Sequence, residues 1–539
     1  MLTKQPSRIA LALAATFAMP AAHAFQFDMG ESDVKMRWDN TVKYSTMYRV
    51  RDPNAAQLTA QTGSPAGDGN RNFKKGFTSQ RLDLTSEFDI TKGNFGARIS
   101  GAAWYDDIYM RSNDNASGIT HNISTGSNQF TDGTQDAVGA NVRLMDAFVF
   151  AKGDLGDMSG RLTLGRHAVI YGETLMSGNN GVAAAQGAVD ITKAATVPGA
   201  QVKEFIMPTE QISGSLQLTN KLSVGGYYQF KWHKSPFFAA GSFLSPNDFL
   251  TDGAESFLST PGGGLFARGA DLKARDGGQG GLQLRYRSDA LDTEFGVYAA
   301  NFHDKTPSAA YFDPARGNYR LVYQEDIQVY GASASTVLLG DNISIEASMR
   351  HNMPITGGTA IVQQIPGQWN NFDNKDNPAY AVGNTAHVTV ADIHLFQPNF
   401  FLKDGGSLAI QYDWHTVLDI DKNPNAIDKG TTKSASRLTA AFTADFFQVF
   451  DGIDLSIPVV YSHDFQRSRV FVGWVENGGA LDVGVNFNYR NTWKGGLNYH
   501  RWIGRHGTDI GTNATTGVVS FDQTMWDRDY VTFNISRSF

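Results

Sequence analysis

The chain ends Asp527-Arg-Asp-Tyr-Val-Thr-Phe-Asn-Ile-Ser-Arg-Ser-Phe539, with Val531, Phe533 and Ile535 alternating with Thr532, Asn534 and Ser536. A strand of this kind has one face suited to lipid and one suited to a polar lumen. It is the ending of a transmembrane barrel, with Phe539 as the carboxy-terminal residue that the barrel assembly machinery would read. That one segment constrains compartment, fold class and broad role together.

The other end agrees. Lys4 and Arg8 precede an apolar run from Ile9 to Met19, and Ala22-His23-Ala24 offers a small-x-small cleavage site, so residues 1–24 read as a signal peptide. The run is far short of the roughly 20 residues that a membrane-crossing helix needs, and no longer one follows. An exported chain with membrane-type strands and no helical anchor must satisfy its backbone by closing a sheet on itself. Residues 25–539 are expected to form one all-β domain, a transmembrane antiparallel outer-membrane β-barrel. Its long extracellular loops are candidates to fold into the lumen.

Composition fits: 56 Gly, 12% aromatic and 18% charged residues describe short turns and interfacial rings without oily helices. Cysteine is absent, which excludes a disulfide framework, thiolate metal sites and a cysteine nucleophile. The net charge of −7 becomes two units more negative once Lys4 and Arg8 leave with the leader, which argues against nucleic acid as a partner.

Period-two alternation is clearest over 34–50, where Val34, Met36, Trp38, Val42, Tyr44 and Tyr48 oppose Lys35, Arg37, Asp39, Lys43 and Arg49. The segments 77–91 and 95–109 repeat it and form a hairpin around Lys92-Gly93-Asn94. Counted this way there are about 18 strands, within a range of about 16 to 20, an even number as such barrels require. They lie near 34–50, 77–91, 95–109, 141–152, 160–170, 210–218, 221–233, 280–288, 293–303, 322–337, 343–351, 387–397, 406–417, 435–447, 453–463, 480–491, 495–503 and 528–539. Connections alternate between short and long. Short turns face the periplasm, so both termini are expected there, with the cell outer membrane as location and its lipid and lipopolysaccharide as surroundings. A barrel this wide encloses a lumen.

Several residues stand out. Lys35, Arg37, Lys43, Arg81, Asp83, Glu87, Asp89 and Arg98 share the inferred lumen face of the first three strands. They read either as a charged wall that orients a solute or as cross-strand ion pairs that brace the barrel. Arg98 faces Glu87 or Asp89, depending on the length of the hairpin loop. The loop segment with Phe237, Phe238, Phe243, Leu244, Phe249 and Leu250 is too apolar to be left in water. It is a landing surface for a hydrophobic ligand, a self-packed lid or plug, or a segment dipping into outer-leaflet lipid. The long connection from Tyr171 to Glu210 carries a helix-like stretch, Val189 to Ala195, and reads equally as an inward-folded constriction or an external excursion. Arg166 and Glu173 flank its start at the lumen mouth and are expected to clasp one another.

The histidines follow no metal-ligand spacing, and His387 and His394 fall on opposite faces of one strand, so no metal and no cofactor is expected. No G-x-S-x-G elbow or local Ser/His/acid grouping occurs, and catalysis is not expected.

Five stretches together carry a family resemblance. They are Leu162 to Thr174 (LTLGRHAVIYGET), Val197 to Pro208 (VPGAQVKEFIMP), Glu294 to Pro307 (EFGVYAANFHDKTP), Tyr323 to Gly331 (YQEDIQVYG) and Asp527-Arg-Asp529. With these the chain resembles the bacterial domain-of-unknown-function family numbered 1302, outer-membrane proteins of Gram-negative bacteria. Tyr171 and His167 stand where the family motif favours Trp and Gln. The resemblance implies a surface barrel associated with a periplasmic lipoprotein-like partner and with resistance-nodulation-division-type exporters, in settings of hydrophobic-compound metabolism. It supplies no catalytic residues. The function expected is passive passage of a small hydrophobic or amphipathic solute through the lumen. Alternatives are a porin for polar solutes, an adaptor barrel for an exporter complex, and an outer-membrane lipid-modifying enzyme.

Overall fold

The computed structural model describes residues 25–27, 32–61, 67–258, 265–313, 315–357, 361–363, 372–507 and 522–539. The expected signal peptide, residues 1–24, lies outside the described residues.

Eighteen long strands close into an antiparallel barrel. In chain order the first nine are β1 (Val34–Arg49), β2 (Gly76–Lys92), β3 (Phe95–Asp106), β4 (Ala140–Leu155), β5 (Met158–His167), β6 (Thr209–Gln217), β7 (Leu222–Gln229), β8 (Gln279–Ser288) and β9 (Thr293–Phe302). The second nine are β10 (Ile327–Leu338), β11 (Asp341–Pro354), β12 (Val382–Phe396), β13 (Gly406–Lys422), β14 (Ser434–Phe450), β15 (Ile453–Asp464), β16 (Gly478–Tyr489), β17 (Trp493–Ile503) and β18 (Tyr530–Ser538). Each strand pairs with its sequence neighbours, and β18 returns to β1 from Thr41↔Ser538 to Arg49↔Tyr530. At this seam the backbones of Asn40 and Phe539 exchange hydrogen bonds of 2.8 and 2.9 Å. Below it, Phe25–Phe27 pairs with Met36 to Trp38 of β1 and continues the ladder.

All eighteen expected segments are strands, and the alternation explains why. On β5, Leu162 and Leu164 are exposed, and so are Val483 and Val485 on β16, whereas Ser45 and Arg49 on β1 and Glu346 and Arg350 on β11 are buried inside. An exposed apolar band around a closed sheet is what hydrocarbon solvates and water does not. Among the described residues no helix is long and apolar enough to cross a membrane.

Turns at one end are tight. In Leu339-Gly340, both residues take positive φ, 55° and 95°, the backbone twist that matches two right-twisted strands. The β2–β3 turn pairs Lys92 with Phe95, which places Asp89 opposite Arg98. One boundary differs from the sequence reading: β10 begins at Ile327 rather than near 322. Asp326 sits at φ 57°, which breaks the extended run, and Asn318–Val322 belongs to a separate small sheet. That sheet joins Ser256–Leu258, Leu265–Arg268, Asn318–Val322, Ala309–Asp313 and Ile361–Gln363 above the long-loop end of the barrel.

Candidate functional site

The connection between β5 and β6 folds inward and crosses the bore. Its first part docks on the far wall. Glu346 of β11, buried, accepts the backbone N–H of Glu173 (2.7 Å) and of Val182 (2.6 Å). Gln411 of β13 accepts those of Leu175 and Met176, both at 2.8 Å. Arg350 donates to the carbonyls of Asn179 (2.6 Å) and Gly181 (2.9 Å), and Asn180 donates to Val388 (3.0 Å). Tyr171, Val182 and Ala185 then join an apolar cluster with Tyr227, Tyr298 and Phe302 that fills this side of the lumen.

The second part returns to the opposite wall. Asp190 caps the short helix Ile191–Thr196 by accepting from the Lys193 N–H (2.8 Å), and Arg143 of β4 binds its other oxygen at 2.6 Å. Lys193 reaches Asp83 (3.6 Å) and Glu204 (3.5 Å). Lys43 binds Glu204 at 3.0 Å, and Arg81 grips Asp83 through two bonds of 2.9 Å. Arg81 and Arg143 lie on Trp104, each 5.0 Å from its ring centroid. The result is a dry layer of alternating charge, in which each ion has a partner close enough to offset its desolvation.

This layer is a constriction. The gap among Arg81, Trp104, Arg143, Asp190 and Lys193 holds only about 10 Å³, no more than one water. Directly beside it lies a cavity of about 350 Å³. Its apolar wall is Ala102, Met145, Ile170, Val202, Ile206 and Pro208, and its charged rim is Glu87, Arg98, Asp146, Lys193, Lys203 and Glu204. A second cavity of about 390 Å³ shares Arg98, Asp146 and Ala168 with the first and runs past His167 and Tyr171. A third, about 500 Å³, shares Arg161 and Ser215 with the second and opens among Asn94, Asp154 and Gln217 at the short-turn end. The three lie in series along β2 to β7 as one recess with shared walls, and the ion layer borders the first of them.

The charged wall read from the sequence is distributed along this recess. Lys43, Arg81 and Asp83 belong to the layer, while Glu87 pairs with Lys203 and Asp89 holds Arg98 by bonds of 2.7 and 2.8 Å. Lys35 and Arg37 lie apart, near the short-turn end of β1, where Lys35 is exposed and Arg37 pairs with Asp39 at 2.6 Å. The apolar loop residues are packed into the lid. Phe243 and Leu244 are buried with Phe73, Tyr109, Phe130 and Tyr530, and Phe238 packs on that cluster. Phe237 stacks edge-on against Phe238 at 5.1 Å. Phe249 joins Phe257, Phe312, Tyr319 and Tyr323, with Leu250 against them.

The clasp expected between Arg166 and Glu173 does not form. Arg166 binds Glu210 (2.8 Å), its direct cross-strand neighbour on β6, and Glu173 binds Arg285 of β8 (2.7 Å). Sheet register brings Arg166 to Glu210 before the chain reaches Glu173, and beyond Gly172, at φ 100°, Glu173 gives its carboxylate to β8 and its backbone N–H to Glu346 of β11. Sequence reasoning also passed over Glu346, Arg350 and Gln411. Their signal was parity: charged or amide side chains at inward positions of strands whose alternate residues, such as Ile345 and Met349, are apolar and exposed.

Comparison with curated proteins returns no match. Among solved structures the chain is similar to OccAB4 of Acinetobacter baumannii, at 11% identity and TM-score 0.43, covering 94% of this chain and 98% of that one. It is also similar to OpdK of Pseudomonas aeruginosa, solved with vanillate, at 9% identity and TM-score 0.43, covering 94% and 98%. The outer membrane channel DcaP of Acinetobacter baumannii matches at 10% identity and TM-score 0.37, covering 96% and 100%. The model of the family described as protein of unknown function DUF1302 matches residues 5–539, and the chain belongs to that family.

Proposed function

We propose that the protein is an outer-membrane channel that passes small amphipathic molecules passively along the recess between the inward-folded loop and strands β2 to β7. It sits in the cell outer membrane with both termini in the periplasm. The observation that supports this reading is the lining of the recess: one apolar wall and one rim carrying both signs of charge, in cavities of 350 to 500 Å³ that follow one another toward the short-turn end. A molecule with an apolar body and a carboxylate end gains burial along Met145, Ile170 and Ile206 and a counter-charge at Arg98 and Lys203. A fully hydrated sugar gains neither. The ion layer around Lys193 is the step that must part for passage to the outside.

The test is uptake by proteoliposomes of an amphipathic carboxylate and of an uncharged disaccharide of similar mass, with single-channel recording in planar bilayers. Faster entry of the carboxylate together with small conductance is expected. Equal entry with large ohmic conductance would replace this reading by a porin for polar solutes, and no flux of either by an adaptor barrel.

A further inference from the structure

Three loops at the long-loop end of the barrel meet at one buried point. Asp68 comes from the β1–β2 connection, His121 from β3–β4 and Asp248 from β7–β8, and their exposures are 2%, 3% and 2%. One carboxylate oxygen of each aspartate and one ring nitrogen of His121 lie within 4.8 Å of one another. The packing is close: a Cβ on Gly67 would stand 2.6 Å from Asp248 Oδ1.

The local bonds leave the charges uneven. Asp68 accepts from Arg71 Nη1 (3.0 Å), Thr120 Oγ1 (2.6 Å) and the His121 N–H (3.1 Å). Asp248 accepts the backbone N–H groups of Gly241 (2.6 Å) and Asp68. Arg71 therefore serves Asp68, while Asp248 has no ion pair among the described residues. His121 Nδ1 is buried and has no hydrogen-bond partner among the described residues. Burial and the neighbouring Asp68 carboxylate push the Asp248 carboxyl above its ordinary range. A second buried carboxylate and an orphaned imidazole nitrogen are costly side by side, and a cation bound between them would offset both.

We propose that Asp68, His121 and Asp248 form a binding site for a divalent transition-metal ion, with Zn²⁺ as the reference ion, that clips the three loops of the lid together. Two carboxylate oxygens with one imidazole nitrogen suit zinc or a similar borderline ion, whereas magnesium and calcium favour all-oxygen shells. The three donor atoms lie within 4.8 Å of one another, around a point that one ion with bonds of about 2.0–2.2 Å would occupy. The three ligands come from three separate connections, so no short histidine and carboxylate spacing in the sequence announces them, and the expectation of no metal rested on such spacing.

The experiment uses the full-length barrel folded in detergent, stripped with a chelator and titrated with zinc chloride by calorimetry. One equivalent is expected to bind to the wild type. His121→Gln and Asp248→Asn should each weaken it by about 100-fold or more, since loss of an outer partner alone costs about 10- to 100-fold. Far-UV circular dichroism and heat-modifiable migration confirm that each variant holds its barrel. On the wild type alone, zinc should slow proteolysis within 113–131 and 241–250, and the chelator should reverse this. The proposal is overturned if the wild type takes up no zinc or if both folded variants bind it equally. It is also overturned if lid protection is the same with zinc, without it and after the chelator.

Discussion

Replacing Glu346 by alanine tests whether the inward loop is a docked and separable element. Glu346 is 2% exposed and its carboxylate accepts two backbone N–H groups of the loop, from Glu173 at 2.7 Å and Val182 at 2.6 Å. Hydrogen bonds to a charged acceptor contribute about 1.5–3 kcal/mol each. Losing both weakens docking by about 3 kcal/mol at the lower bound, which multiplies the detached population about 150-fold. Glu346→Gln keeps one acceptor oxygen, and its cost is about half, roughly a tenfold change. Gln411, Arg350 and Asn180 still hold the loop, so the expected outcome is faster local opening inside an intact barrel. Hydrogen exchange reads this directly: the amides of Glu173 and Val182 should lose protection in the order wild type, glutamine, alanine, while strand amides of β11 and β12 stay unchanged. Planar-bilayer recordings should show larger and more frequent openings in the same order. Unchanged exchange at those two amides in a folded Glu346→Ala barrel would refute the docking account.

Arg98→Ala removes the rim cation whose pair with Asp89 is partly solvated, so stability should change by less than about 1 kcal/mol while uptake of an amphipathic carboxylate falls severalfold in liposome assays. Gly69→Ala places a Cβ 2.3 Å from the Ser242 carbonyl oxygen, and the strain of about 1–3 kcal/mol should appear as faster proteolysis of the lid at unchanged barrel content. Lys305, in the β9–β10 connection, is buried, and burial lowers its amine to about 8. The charged form is therefore penalised in the fold, so the stabilising contribution is full above the ordinary lysine value and is lost as pH falls through about 8. Lys305→Met should then stabilise the lid at pH 7 by on the order of 2 kcal/mol, an advantage that shrinks as pH rises toward 10 in proteolysis or thermal assays.

The strands were legible because lipid outside and ions inside impose a contrast at every second residue, and eighteen repetitions of it leave little freedom. The Asp89–Arg98 pair followed once the hairpin loop was two residues long. The site was legible only on the wall: Lys43, Arg81 and Asp83 announced themselves by parity, but Lys193 and Glu204, which complete their layer, sit in a connection with no period to read. Arg166 shows the limit from the other side. Its proximity in sequence to Glu173 suggested a clasp, whereas its cross-strand position dictated Glu210. Likewise the run from 322 was extended by composition, yet a single left-handed residue, Asp326, divides it between two sheets.

The seam between Asn40 and Phe539 has a consequence for biogenesis. Because the rungs that close the cylinder are supplied by β18 pairing back on β1, the sheet has two raw margins until that strand is in place. Without β18 the backbone donors and acceptors of Thr41 to Arg49 would stand bare in hydrocarbon, where nothing else can satisfy them. Strands β1 and β18 are thus the two halves of one latch, and the bore is sealed only when both are in register.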